Sequence, residues 1–270
     1  MRKKLLTIAL SGLIGGGLVN VANAADDGKS DLNAVIPQGD VDRASGAPAG
    51  WKKPVTDERI YQFSLLDRFE YHDGNDGSKS YVWSGQGWIG GDINKFWWKA
   101  EGEGGVNNGE SPESTEFQAL YNRTIAPFWS VQAGIRYDVN PNPDRAFGVL
   151  GIQGLAPYRL GSDTSLYVSE DGDVSFRGEL EYDQRLTQRL ILQPRLEINA
   201  SAQDVPEYGL GEGLNNTEMG LRLRYEIWRE FAPYIGVSYA QKYGDTKDYA
   251  LRAGESSSST AFVVGIRAWY

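Results

Sequence analysis

From residue 57 to the C-terminus, apolar and polar residues alternate one by one in segments of about 10–14 residues, separated by clusters of Gly, Asn, Asp, Pro and Ser. A period of two sends successive side chains to opposite faces of a strand, whereas a helix would scatter each set around its circumference. In 174–183, Val174, Phe176, Leu180 and Tyr182 fall on one face, and Ser175, Arg177, Glu179, Glu181 and Asp183 on the other. In 217–227, Met219, Leu221, Leu223, Tyr225 and Ile227 alternate with Glu218, Arg222, Arg224 and Glu226; in 131–139, Val131, Ala133, Ile135, Tyr137 and Val139 alternate with Gln132, Arg136 and Asp138.

The pattern predicts about twelve strands, at 60–72, 80–91, 95–104, 115–125, 128–139, 145–156, 158–169, 173–185, 189–201, 215–228, 231–243 and 259–270. Short connections, around 91–94, 126–127, 156–157, 186–188 and 229–230, alternate with long polar ones at 72–80, 103–114, 139–145, 201–215 and 243–259. A soluble sandwich has no need of that asymmetry. An outer-membrane barrel has short periplasmic turns and longer outer loops, and closure removes the sheet edges that lipid would leave unpaired. The expected fold is therefore all-β, a transmembrane antiparallel β-barrel in contact with outer-membrane lipid. Ala126-Pro127-Phe128, Ala156-Pro157-Tyr158 and Ala232-Pro233-Tyr234 read as short turns whose aromatics form a girdle at one interface. In the last segment Phe262, Val264, Ile266, Ala268 and Tyr270 share a face with Arg267 on the other, which resembles the C-terminal insertion signal of bacterial outer-membrane barrels.

At the N-terminus, Arg2, Lys3 and Lys4 precede an apolar stretch from Leu5 to Val21, and Ala22-Asn23-Ala24 fits a cleavage site. Residues 1–24 read as a signal peptide, 25–56 as a flexible periplasmic arm rich in Asp, Pro and Gly, and 57–270 as the barrel. Cleavage would remove three basic residues and take the net charge from −9 to −12, which argues against nucleic acid as a partner. No later stretch is apolar for the 18 or so residues that a membrane helix needs.

Without cysteine there is no disulfide scaffold, zinc–thiolate site or thiol nucleophile, and His72 is the sole histidine. No motif near it supplies a nucleophile and an orienting partner, so an enzyme is not expected. His72, Asp73 and Asp76 are the candidate metal ligands, faintly resembling a calcium loop that lacks its closing Glu; a plain acidic turn is the other reading.

The inward charges say more. With the apolar faces toward lipid, Arg68, Glu70, Lys99, Glu101, Arg136, Asp138 and Glu218 point into the lumen, together with the candidate network Arg177, Glu179, Glu181, Arg195, Glu197, Arg222, Arg224 and Glu226. Both signs occur in similar number, which predicts paired networks across a filled interior rather than a single-sign filter or a wide porin. Asp67 breaks the pattern by falling on the lipid face beside Phe63, Leu65 and Phe69, so a bulge or a near-interface position is expected there.

The segments QGWIGGDINKFWWKAEGE (86–103), LYNRTIAPFWSVQAGIRYD (120–138), GIQGLAPY (151–158), LTQRLILQPRLEINA (186–200), GLRLRYEIWREFAPYIGV (220–237) and GIRAWY (265–270) resemble the bacterial copper-resistance protein B family over roughly 57–270. The resemblance implies an outer-membrane protein of copper homeostasis that binds, sequesters or exports copper with periplasmic copper-binding or copper-oxidising partners. Family members often carry a Met- and His-rich N-terminal segment; residues 25–55 contain neither residue. Beyond residue 24 the only thioether and imidazole are Met219, expected to face lipid, and His72, which leaves no high-capacity copper store in the arm. Weak Cu(II) binding through carboxylates and His72 remains open. The alternative is a small channel or structural barrel without metal specificity.

Overall fold

The computed structural model describes residues 59–106, 114–140 and 144–270, with the backbone of 41–42 and 47–48. The proposed signal peptide and nearly all of the arm lie outside these residues, apart from a short antiparallel ladder of Val41–Asp42 with Ala47–Pro48. The unit Thr56–Tyr270 is the barrel. Its strands are β1 (Tyr61–Gly74), β2 (Lys79–Gly90), β3 (Asn94–Gly105), β4 (Ser114–Ala126), β5 (Trp129–Asn140), β6 (Arg145–Ala156), β7 (Leu160–Ser169), β8 (Val174–Tyr182), β9 (Leu190–Ser201), β10 (Gly213–Tyr225), β11 (Phe231–Lys242) and β12 (Ser258–Trp269). Each pairs antiparallel with its chain neighbours, β12 pairs with β1, and Gln184–Arg185 extends the β8 edge along β9. The sheet is closed, and each of the twelve predicted segments corresponds to one strand.

Burial runs opposite to that of a water-soluble protein. Ile135, Leu150, Ile235, Val237, Phe262 and Met219 are exposed on the outer face, while Gln132, Glu70, Arg195 and Arg222 are buried inside. An apolar exterior around a polar interior is stable only where the surroundings are hydrocarbon. Phe128 and Tyr158 sit at the short-turn end with left-handed backbones (φ 68° and 65°) and exposed rings, as a girdle requires.

Three expectations need correction. In β1, Asp67 and Arg68 stand opposite the single Arg267 of β12, and Asp67 is skipped in the pairing with β2. This is the bulge expected at Asp67, and it inverts the faces on its two sides. Phe69 and Tyr71 face outward, but Leu65 is buried, and Phe63 packs with Trp88 and Trp269, so Phe63 and Leu65 leave the lipid face assigned to them. Second, Ala232-Pro233-Tyr234 is not a turn. It lies inside β11 near the strand's start, where a missing N–H is tolerated, and Tyr234 is buried. Third, the 243–259 connection contains a helix, α1 (Gly244–Ala253), with Asp245 in its first turn, Arg252 in its last and Gly254 closing it at φ 83°. Its Thr246 accepts hydrogen bonds from the Gly211 N–H (2.8 Å) and from Asn215 Nδ2 (2.9 Å), tying α1 to the 201–213 loop. A Cβ on Gly211 would lie 2.8 Å from the Thr246 nitrogen, so only glycine permits this approach.

Candidate functional site

Inward positions of strands far apart in sequence meet across the lumen as ion pairs. Arg222 of β10 donates through Nε and Nη2 to Glu70 of β1 at 2.5 and 3.0 Å, and His72 Nε2 lies 2.9 Å from the same carboxylate. Arg195 of β9 grips Glu179 of β8 through two bonds of 2.7 Å and reaches Glu197 at 3.0 Å. Arg177 of β8 pairs with Glu101 of β3 and with Glu116 of β4, the latter at 3.1 Å. Arg136 of β5 joins Glu116 (2.7 Å) and Asp138 (2.7 Å), its guanidinium lying over the rings of Phe147 and Tyr167. Lys99 of β3 meets Asp163 of β7 at 2.5 Å. The bulged Asp67 turns inward and pairs with Arg267 at 3.1 Å. Paired forks of this kind are the strong form of a charge-assisted hydrogen bond, and the Arg222–Glu70 fork, with the Arg177 and Lys99 pairs, fastens non-adjacent strands to each other. Toward the long-loop end the interior is further filled by Leu120, Phe147, Val149 and Tyr167, with Trp97 against them.

Of the predicted network, Arg177, Glu179, Arg195, Glu197 and Arg222 are joined in these pairs, and Arg224 pairs with Asp183 at 2.7 Å. Glu181 accepts from Gln193 Nε2 at 3.1 Å and joins no ion pair among the described residues. Glu226 lies just past the end of β10; its backbone N–H donates to the Arg189 carbonyl. The candidate metal ligands are not brought together: His72 belongs to the Glu70–Arg222 cluster, Asp73 is exposed on the next strand position, and Asp76 sits in the β1–β2 turn. There Asp76 accepts from the Ser78 N–H (3.0 Å) and Oγ (2.5 Å), and these bonds hold its pKa below the usual aspartate value. Among the described residues, no group of three or more His, Asp or Glu side chains is placed to hold a metal ion.

Below the network is a cavity of about 590 Å³ whose lining includes residues of the short-turn end, Asp92, Lys95, Thr124, Ser130 and Leu155, and ends against Lys99, Glu101, Arg177 and Arg195. Its lining carries six carboxylates (Asp67, Asp92, Glu101, Asp163, Glu179, Glu181) against four cations (Lys95, Lys99, Arg177, Arg195). The lining also includes Gln118, Asn122 and Gln153. Sequence reasoning did not place Asp163 or these amides in the lumen, and it read Glu116 with the acidic cluster of the 103–114 loop. Strand parity would have found them, since they share the inward face with Tyr167, Leu120 and Gln132.

Comparison with known proteins decides the family. A family model described as Copper resistance protein B precursor (CopB) matches residues 60–270. The chain belongs to the copper resistance protein B family. It is 43% identical over 236 residues to Copper resistance protein B of Escherichia coli, covering 87% of this chain and 78% of the relative. It is 36% identical over 266 residues to the Copper resistance protein B homolog of Pseudomonas syringae pv. tomato, covering 98% of this chain and 89% of that one. Among solved structures it is similar to the NanC porin, with a TM-score of 0.51 at 14% identity over 76% of this chain and 98% of the porin. That likeness concerns the fold.

Proposed function

We propose that this CopB-family chain works in the outer membrane of a Gram-negative cell as a non-enzymatic barrel of copper homeostasis, gathering copper ions in its lumen for sequestration or export with a periplasmic copper-binding or copper-oxidising protein. The observation that carries the reading is the carboxylate-rich cavity lined by residues of the short-turn end and backed by the Arg177–Glu101–Glu116 cluster. Short turns face the periplasm in barrels of this type, so the carboxylates would meet ions arriving from that side. Glu181, which accepts from the Gln193 amide and joins no close ion pair among the described residues, is the carboxylate we assign to attract one. The carboxylates of the lining suit Cu(II) better than Cu(I), and copper is here the cargo, held loosely, as a carboxylate-rich lining dictates.

The test is survival and cell-associated copper in a deletion strain against a complemented strain, with zinc and silver as controls. Loss of tolerance to copper alone, restored by the wild-type chain and restored only in part by Glu181→Lys, is the expected result. Equal survival under every metal would overturn the reading and leave a small channel or structural barrel without metal specificity.

A further inference from the structure

The copper reading uses the lumen and leaves the outside of the short-turn end without a task. Five arginines stand there: Arg123 near the end of β4, Arg159 just before β7, Arg185 and Arg189 in the β8–β9 connection, and Arg229 between β10 and β11. All five are exposed, and none of their side chains makes a hydrogen bond or ion pair among the described residues. Acids at that end are fewer: Asp183 is held by Arg224, and Asp92, Glu226 and Glu230 remain. This surplus of cations runs against a chain whose net charge is −9. The opposite end has the reverse sign. There the β7–β8 turn carries Glu170, Asp171 and Asp173, and the 201–213 loop carries Asp204, Glu207 and Glu212, with no lysine or arginine in either.

Each of the five stands beside exposed apolar surface. Arg123 lies on the lipid face in line with Tyr121 and Ile125, Arg159 follows Tyr158, Arg229 follows Trp228, and Leu186 lies between Arg185 and Arg189; all of these neighbours are exposed. Aromatics at a barrel's rim mark the level of the lipid headgroups. An arginine at that level lays its methylene stem along apolar surface and carries its guanidinium to the phosphates.

We propose that these five arginines form a belt that binds the phosphates of anionic phospholipid in the leaflet on the short-turn side. A guanidinium is a planar fork of donors that fits two phosphate oxygens at once, and here no carboxylate of the described residues occupies it. The five are spread around the closed sheet from β4 to β11, as a ring of lipids is, whereas a globular protein partner would cover one sector of the rim. Bound phosphates cancel the positive charge of the rim, so the belt does not oppose cations approaching Asp92. The inference rests on the barrel spanning a membrane and is independent of copper.

The experiment is quenching of tryptophan fluorescence by brominated lipid, with the full chain folded into phosphatidylcholine vesicles that contain brominated phosphatidylglycerol or, separately, brominated phosphatidylcholine. One arginine at an anionic surface corresponds to about a fivefold preference, so the wild-type chain should select phosphatidylglycerol about fivefold or more. Glutamine at all five positions should bring the two lipids near parity, and lysine at the same positions should select phosphatidylglycerol more than the glutamine variant does. Each variant is first checked for the heat-modifiable gel mobility of a folded barrel, and Arg159→Gln with Arg229→Gln, expected to lose part of the preference, stands in for one that does not fold. Three results would overturn the proposal: no preference for phosphatidylglycerol in the wild-type chain; an undiminished preference in the folded glutamine variants; or indifference to phosphatidylglycerol together with binding of polyglutamate by the detergent-folded chain, which assigns the arginines to an acidic protein.

Discussion

Replacing Glu70 by alanine tests whether the lumen network holds the barrel together. Glu70 and Arg222 side chains are 0% and 3% exposed and joined by two bonds of 2.5 and 3.0 Å, so removing the carboxylate leaves a guanidinium that water cannot reach with only the looser pairing to Glu218 at 3.7 Å. An exposed pair would contribute about 0.2–1 kcal/mol. Breaking a buried pair from one side costs about 3–5 kcal/mol, because the remaining charge stays desolvated. At a urea slope of about 2 kcal/mol per molar, the midpoint should fall by about 1.5–2.5 M. The assay is urea unfolding of the barrel in lipid bilayers, read by tryptophan fluorescence and heat-modifiable mobility. Glu70→Leu combined with Arg222→Met should be less destabilised than either single variant, since neither charge is then left alone. A Glu70→Ala loss below about 1 kcal/mol, or a double variant whose loss is the sum of the singles, would refute the reasoning and mean that water screens the pair inside the lumen.

Other perturbations probe separate parts. Arg177→Ala removes the link from β8 to Glu101 and Glu116, leaving Glu116 to Arg136, and planar-bilayer recordings should show conductance well above the wild-type level; unchanged conductance would place the constriction elsewhere. Thr246→Val removes the acceptor for two buried hydrogen bonds and should cost about 1–3 kcal/mol locally, read as faster proteolysis of the 201–213 loop with unchanged global unfolding. Asp76 has a lowered pKa because Ser78 donates to it. Its ionised form therefore stabilises the β1–β2 turn at neutral pH, and that contribution fades as pH falls through the lowered value. Hydrogen exchange of the Ser78 amide should accelerate in Asp76→Ala at pH 7, relative to intrinsic rates, and the gap between variant and wild type should narrow in acid. Leu150→Arg on the lipid face should cost about 2–4 kcal/mol near the bilayer midplane, measured by the same urea assay.

The strands were legible because one physical contrast, lipid outside against a polar lumen, repeats at every second residue, and the period survives without any knowledge of pairing. The same parity read Arg177, Glu179, Arg195 and Arg222 as inward. What parity cannot locate is its own slip: the bulge at Asp67 shifts the count by one, so Phe63 and Leu65 were assigned to lipid although Asp67 itself signalled the irregularity. Pro233 misled for a related reason, since a proline near the start of a strand and a proline in a turn look alike until the ladder is seen. The helix at 244–253 carried readable signs, Asp245 early, Arg252 late and Gly254 after it, but they were submerged in a connection expected to be loop. Cross-lumen partners were out of reach altogether. Arg177 and Glu101 are 76 residues apart, and their meeting is set by how the sheet closes, which no local pattern records.

The pairing also bears on how an ion would experience the lumen. A carboxylate held in two bonds by an arginine, as Glu179 is by Arg195, has spent its charge on the wall and offers little to a passing cation. The field that remains comes from the groups left over: Glu181, which has only an amide donor, and Asp92 at the rim. Those two lie among the cavity's lining rather than in the filled region above Arg177. The acid without a close cation thus lies toward the short turns, where Arg224 and Asp183 are also paired, and the Arg177 cluster lies beyond it. Under the proposed copper role, that arrangement would collect ions from the short-turn side and retain them against the other. Charge reversal at Glu181 should consequently weaken copper tolerance without changing conductance, whereas loss of Arg177 should raise conductance first.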